Sequence, residues 1–61
     1  MTIGEKLKRL RGKKSQRVTA AEIGISKSAL AMYEKDRRIP RDETKKQIAD
    51  YYGVSILELF F

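Results

Sequence analysis

Residues 16–34 read QRVTAAEIGISKSALAMYE and decide the fold. Four apolar residues recur at helical spacing on either side of one glycine: Ala20, Ile23, Leu30 and Tyr33. Gly24 is predicted to close the first helix in a left-handed conformation, which glycine adopts without the steric cost of a side-chain carbon. Ser26 follows as a helix N-cap. The pattern therefore predicts a helix-turn-helix, with helices over about 16–23 and 27–34.

The residues before this motif predict one further helix. Thr2 and Glu5 have the spacing of a capping box, so the helix is expected to begin at about Ile3. Gly12 is expected to end it. The apolar residues of this helix form one stripe that is predicted to face the core: Ile3, Leu7 and Leu10.

The residues after the motif predict two more helices. Pro40 is expected to start a fourth helix, which ends at Gly53. Ser55 and Glu58 form a second capping box, which opens a short fifth helix. No stretch alternates in the way a strand requires, and no linker interrupts the chain. Residues 1–61 are therefore predicted to form one compact all-α domain of five helices.

Composition limits the chemistry that the chain can perform. It has no cysteine and no histidine, which excludes disulfides, thiolate metal sites and imidazole catalysis. Paired carboxylates and a Gly-rich phosphate loop are also missing, so we predict no enzyme activity, no metal and no cofactor. No apolar run approaches the roughly 18 residues of a membrane span, and a cytoplasmic location is expected.

The distribution of charge predicts a polyanionic partner. The formal net charge is +6, and residues 5–17 hold seven basic residues against the single Glu5. From Asp42 onward four acids outnumber Lys45 and Lys46. Positive charge is thus concentrated near the chain start and around the two-helix corner, which favours nucleic acid as the partner.

Six residues carry a family resemblance: Gln16, Ala20, Gly24, Leu30, Tyr33 and Glu34. At these positions the stretch resembles the lambda-repressor-like (Cro/C1, Xre) helix-turn-helix family, and the resemblance extends over nearly the whole chain. It implies a sequence-specific regulator of transcription that reads the major groove of double-stranded DNA with its third helix. A repressor of the phage, mobile-element or bacterial operon type is expected. The alternative is a protein-interaction module, such as the antitoxin of a toxin–antitoxin pair.

The resemblance also implies which residues touch DNA. The expected base contacts are Lys27, Ser28, Ala31 and Met32. The expected phosphate contacts are Gln16, Ser26, Lys35, Arg37, Arg38, Lys13 and Lys14. For each of these residues the alternative is a solvated helix or loop surface, and Met32 has the further alternative of packing against the fourth helix.

Two further expectations concern structure and assembly. Glu34 is expected to pair with either Arg9 or Arg11 and so brace the motif. A homodimer on an inverted-repeat operator is expected, because one such domain contacts only a few base pairs. The candidate dimer contacts are Tyr51, Phe60 and Phe61, with the alternative that Phe60 is core and Phe61 disordered. No small-molecule ligand is evident.

Overall fold

The computed structural model describes all 61 residues and contains five α-helices and no strand, which confirms the predicted fold class. The helices are α1 (Ile3–Arg11), α2 (Gln16–Ile23), α3 (Lys27–Glu34), α4 (Asp42–Tyr52) and α5 (Ile56–Phe60). Only α4 departs from its predicted start at Pro40. Arg41 has the extended backbone of an N-cap, so the helix begins at Asp42, two residues after Pro40. None of the five helices combines the length and the apolar character needed to cross a bilayer.

Local hydrogen bonds explain where the helices begin. In the first predicted capping box, Thr2 Oγ1 accepts from the Glu5 N–H at 3.1 Å, and Glu5 Oε1 accepts from the Thr2 N–H at 2.8 Å. Ser55 and Glu58 form the second capping box at the start of α5. Each box satisfies backbone donors that a helix start leaves unpaired. Both predictions are confirmed.

The turn between α2 and α3 has the predicted left-handed glycine. Gly24 has φ +96° and ψ 28°, and its N–H donates to the carbonyl of Ala20 at 2.9 Å. The N–H of Ile25 donates to the same carbonyl at 2.9 Å, which completes the end of α2. Ser26 then caps α3 by accepting from the Ala29 N–H at 3.0 Å. The corner of the motif is therefore held by backbone and capping bonds.

The core differs from its prediction in α1. Leu7 is fully buried, but Leu10, which we expected in the core stripe, is 39% exposed. The buried face of α1 instead contains Gly4, with Leu7 three residues on and Arg11 four residues beyond that. Because this spacing is that of one helical face, Leu10 is turned away from the centre. The prediction was wrong because the hydrophobic pattern identifies only apolar side chains, and two of the three residues on the buried face are glycine and arginine.

Helix α1 crosses the end of α3 at very close range. A side-chain carbon built on Gly4 would lie 2.3 Å from the carbonyl oxygen of Glu34 and 2.7 Å from its carbonyl carbon. Both are backbone atoms, so neither can move aside without shifting a helix. Gly4 is therefore required by the packing of α1 on α3 and not by its own helix.

The C-terminal end of the chain separates two adjacent aromatic residues. Phe60 is 6% exposed and belongs to the core, in agreement with the alternative to its predicted dimer contact. Phe61 is 79% exposed. The ammonium group of Lys45 lies 5.7 Å from the centroid of the Phe60 ring and 5.0 Å from that of Phe61, so its aliphatic stem covers this end of the core.

Asp36 ties the loop after α3 to the start of α1. Its backbone is left-handed, with φ +59°, and its carboxylate accepts from the Thr2 hydroxyl at 2.7 Å and from the Gly4 N–H at 2.8 Å. These bonds, with the one from the Thr2 hydroxyl first, hold the pKa of Asp36 below its ordinary 3.8. The carboxylate therefore stabilises the fold only while it is ionised.

We expect the free energy of unfolding to fall less in acid in the Asp36→Asn variant than in the wild type. With a folded pKa below 3.8, the stabilisation by Asp36 is present above that value and disappears as pH falls through the folded pKa. Urea unfolding between pH 7 and pH 2 should therefore show a shallower decline below pH 4 in the variant. Asparagine tolerates the positive φ, so the loop keeps its conformation.

The matched control for this measurement is Asp50→Asn on α4. Asp50 is exposed, and its side chain makes neither a hydrogen bond nor an ion pair. The control is expected to change the acid limb less than Asp36→Asn does. Equal acid limbs in the wild type and in Asp36→Asn would contradict a role for Asp36 as an ionised clamp.

Candidate nucleic-acid interface

Helices α2 and α3 are presented by a frame built from the other helices. Helix α1 packs against α3, and α4 packs against α2. The side chains of Ala20 and Ile23 on α2, and of Leu30 and Tyr33 on α3, are buried. The opposite face of α3 is thereby left on the surface, as a protruding helix requires.

The exposed face of α3 contains the predicted base-contacting residues. Lys27, Ser28 and Met32 are exposed, and Ala31 is half-buried. Met32 is 39% exposed and is not part of the core cluster, so packing against α4 does not account for it. We call the surface formed by Lys27, Ser28, Ala31 and Met32 the reading face. It offers one cation, one hydroxyl and two apolar groups.

Glu34 is the most deeply buried charged group of the motif, with a side chain that is 0% exposed. Its carboxylate accepts from Arg11 Nε at 2.7 Å and from Arg11 Nη2 at 3.0 Å. The structure therefore selects Arg11 over Arg9 as its partner. The Glu34 carboxylate raises the pKa of the Arg11 guanidinium above its ordinary value. A two-pronged pair of this kind fixes orientation as well as charge.

Gln16 joins the same network, which the sequence did not reveal. Its Nε2 donates to Glu34 Oε1 at 2.9 Å, so the first residue of α2 is bonded to the last residue of α3. The predicted phosphate contact of Gln16 thus shares its amide group with a structural bond. One amide N–H and the backbone N–H groups of Gln16 and Arg17 have no partner within the chain. These groups are oriented as at any helix N-terminus, where anions are favoured.

Ser26 has one hydrogen-bonding function in use and one free. Its Oγ accepts the capping bond from Ala29, while its hydroxyl proton is available to a further acceptor.

Basic side chains border α3 in the loop that follows it: Lys35, Arg37 and Arg38 are all exposed. Apart from the Glu34 carboxylate, which is neutralised inside the fold, α3 has no acidic side chain. The exposed face of α3 therefore has donors and positive charge but no carboxylate, and the exposed Asp36 of the loop is bonded to the Thr2 hydroxyl and the Gly4 N–H.

Lys13 and Lys14, both predicted to contact phosphate, differ in their surroundings. Lys13 is exposed and makes no bond, whereas Lys14 Nζ lies 2.9 Å from Glu22 Oε1 and 3.2 Å from the Tyr51 hydroxyl. The bonds to Glu22 and then to Tyr51 raise the pKa of Lys14. The Tyr51 hydroxyl in turn donates to Glu22. Tyr51 is a predicted dimer contact, but its hydroxyl group makes hydrogen bonds within the chain.

Besides the bond from Gln16 to Glu34, two features escaped the sequence analysis, and one of them had a usable signal. A glycine inside the first turn of a helix is unfavourable by itself, so Gly4 indicated a close approach of another backbone. The role of Asp36 had no such signal, because its partners are 34 and 32 residues away in the sequence. No cluster of acidic, His or Cys side chains is suited to hold a metal ion.

Comparison with known proteins gives two results. Residues 6–59 match a protein-family model described as helix-turn-helix. Over 45 residues the chain is 40% identical to the cryptic phage CTXphi transcriptional repressor RstR of Vibrio cholerae. The alignment covers 74% of this chain and 40% of that repressor, so the chain spans less than half the length of this relative.

Proposed function

This chain belongs to the Cro/C1-type helix-turn-helix family, and we propose that it is a transcriptional repressor that binds double-stranded DNA in a sequence-specific manner. The observation that carries the proposal is α3, which exposes the reading face while its only carboxylate is buried and paired with Arg11. The identity with a phage repressor supports repression over activation. No observation favours the antitoxin alternative.

Helix α3 enters the major groove with its N-terminus first, where base pairs differ in their donors, acceptors and methyl groups. Lys27 donates to the O6 and N7 atoms of guanine. Ser28 donates to or accepts from a neighbouring base. Ala31 and Met32 offer apolar contacts. These contacts select the operator sequence.

Phosphate contacts hold α3 in register in the groove. The unpaired N–H groups at the start of α2, the Gln16 amide and the Ser26 hydroxyl donate to one strand of the backbone. The basic side chains around the motif contribute charge: Lys13, Lys14, Lys35, Arg37 and Arg38. Of these, Lys14 must leave Glu22 or share its ammonium group in order to contribute.

Selection of bound duplexes from a random pool tests this function. We expect a single preferred motif, and Lys27→Ala should relax the preference at one base position at a cost of about 1–3 kcal/mol. Arg38→Ala should instead weaken all sequences alike and reduce the salt slope by about 1. The readout is the affinity for the selected duplex and for scrambled duplexes, measured at salt concentrations from roughly 50 to 200 mM. Over this range the contribution of phosphate contacts to affinity falls steeply.

Lys46→Ala is the matched control, because Lys46 is an exposed lysine on α4, away from the motif. Its binding should equal that of the wild type. Failure to enrich any sequence, together with binding that ignores salt, would remove the proposal.

The chain binds its operator as a homodimer on an inverted repeat. Leu57 of α5 and Phe61, which follows that helix, are 72% and 79% exposed. The Phe61 N–H donates to the Leu57 carbonyl at 3.1 Å, so the two residues lie on one side of this segment. Two large apolar side chains on one exposed face support a contact between copies there. Sedimentation of the selected duplex should give two chains per duplex. A monomer both alone and on DNA would end this part of the proposal.

A further inference from the structure

Met32 is the only large apolar side chain that α3 exposes. Leu30 and Tyr33 of the same helix are buried, and the other exposed residues of the helix, Lys27 and Ser28, are polar. Met32 is 39% exposed and packs into no core cluster. Exposure of this apolar side chain to water is unfavourable, so an apolar group that covers it on binding would be stabilised by the hydrophobic effect.

The chemistry missing from the reading face narrows what it can recognise. Asparagine and glutamine, which pair with adenine through two hydrogen bonds, are absent from α3. An exposed carboxylate could accept a hydrogen bond from cytosine, but the only carboxylate of α3 is that of the buried Glu34. The Ser28 hydroxyl can donate to or accept from any base, so it does not select one, and the half-buried Ala31 has only a single methyl carbon. Lys27 suits guanine, and the apolar surface of Met32 suits the C5 methyl group of thymine.

Helix geometry places Met32 relative to the other exposed side chains. Ser28 and Met32 are four residues apart, so they lie on the same face and about 6 Å apart along the helix axis. Successive base pairs are about 3.4 Å apart along the duplex. Measured along the duplex the two side chains are therefore no more than about two base pairs apart.

We propose that Met32 is a specificity-determining residue that selects thymine by packing against its C5 methyl group, within about two base pairs of the base pair that faces Ser28. The inference rests on the proposed binding of duplex DNA by α3. It adds the identity of one base and the chemical group by which that base is recognised.

Replacement of thymine by deoxyuridine tests the methyl contact directly. The probe is the fluorescein-labelled duplex recovered from the random pool, in which each thymine of one half-site is replaced in turn and in both half-sites together. Deoxyuridine keeps every hydrogen-bonding group of thymine and lacks only the methyl. We expect one replacement to lower affinity about fourfold per half-site, which corresponds to burying one carbon group at about 0.8 kcal/mol.

Variants of Met32 assign the effect to this side chain. In Met32→Ala, deoxyuridine and thymine at the sensitive position should bind equally well, whereas Met32→Leu should retain the difference. Lys27→Ala is the matched control on the same helix and should also retain it. Both positions, Met32 and Lys27, are exposed, so the three substitutions should leave the melting temperature close to that of the wild type, which thermal unfolding verifies.

Three results overturn the proposal. They are a selected half-site without a preferred thymine, no effect of deoxyuridine at any position, and an equal deoxyuridine effect in the wild type and in Met32→Ala. Each of these results leaves sequence-specific binding intact. Failure of the proposed function looks different, because then no duplex is enriched at all and the proposal falls with it.

Discussion

Replacement of Gly4 by alanine is expected to destabilise the chain by about 3 kcal/mol, the upper part of the range for overpacked sites. Helix propensity alone predicts the opposite, since alanine is favoured over glycine by about 1 kcal/mol inside a helix. The packing effect wins because the new carbon would lie 2.3 Å from a backbone oxygen of Glu34. A chain of this size has a total stability of only about 3–9 kcal/mol at 0.05–0.15 kcal/mol per residue.

Chemical denaturation followed by circular dichroism measures this effect, with Gly53→Ala as the control. Gly53, unlike the helical Gly4, has a positive φ of +69°, but a side-chain carbon there meets no atom within 4 Å. The control should therefore cost only the conformational penalty of about 1–2 kcal/mol. A Gly4→Ala variant as stable as the wild type would refute the close crossing of α1 and α3.

The Glu34→Ala variant should lose about 3–5 kcal/mol, the usual cost of breaking a buried ion pair by removing one partner. Without the carboxylate, Arg11 loses two acceptor contacts and Gln16 loses one. These three donors bridge α1, α2 and α3, so the variant should loosen the whole motif. The fraction that remains folded should keep the sequence preference of the wild type, because the Glu34 side chain is fully buried.

A double-mutant cycle separates the pair from the rest of the network. Arg11→Met and Glu34→Leu together should cost less than the sum of the single changes, because neither then leaves an unpaired partner. Urea unfolding gives the stabilities, and duplex selection with the folded variants gives the sequence preference. Additive costs, or an altered preferred sequence in Glu34→Leu, would contradict a purely structural role.

The helix boundaries were predictable because their causes are local. A capping box acts across three residues, and a left-handed glycine ends a helix with the bonds of its own last turn. Thr2, Ser55 and Gly24 were therefore placed correctly without knowledge of the rest of the molecule. The family, too, was recognisable from the motif, and the match over residues 6–59 confirms it.

Leu10 and Phe60 show where local patterns were insufficient. Both are apolar near the end of a helix, yet one is exposed and the other belongs to the core. Which side of a short helix faces inward depends on how neighbouring helices cross it. In α1 that direction is set by the contact of Gly4 with α3, which has no counterpart in hydrophobic periodicity.

Caps, glycines and the spacing of apolar residues were thus enough to place five helices, the corner of the motif and the exposed face of α3. Folding in three dimensions decided the rest: that Arg11 and not Arg9 holds Glu34, that Gln16 shares this carboxylate, and that Asp36 clamps the start of α1. The reason is distance along the chain. These partners lie between 18 and 34 residues apart, and a hydrogen bond forms only where the packing of whole helices brings its two atoms within about 3 Å.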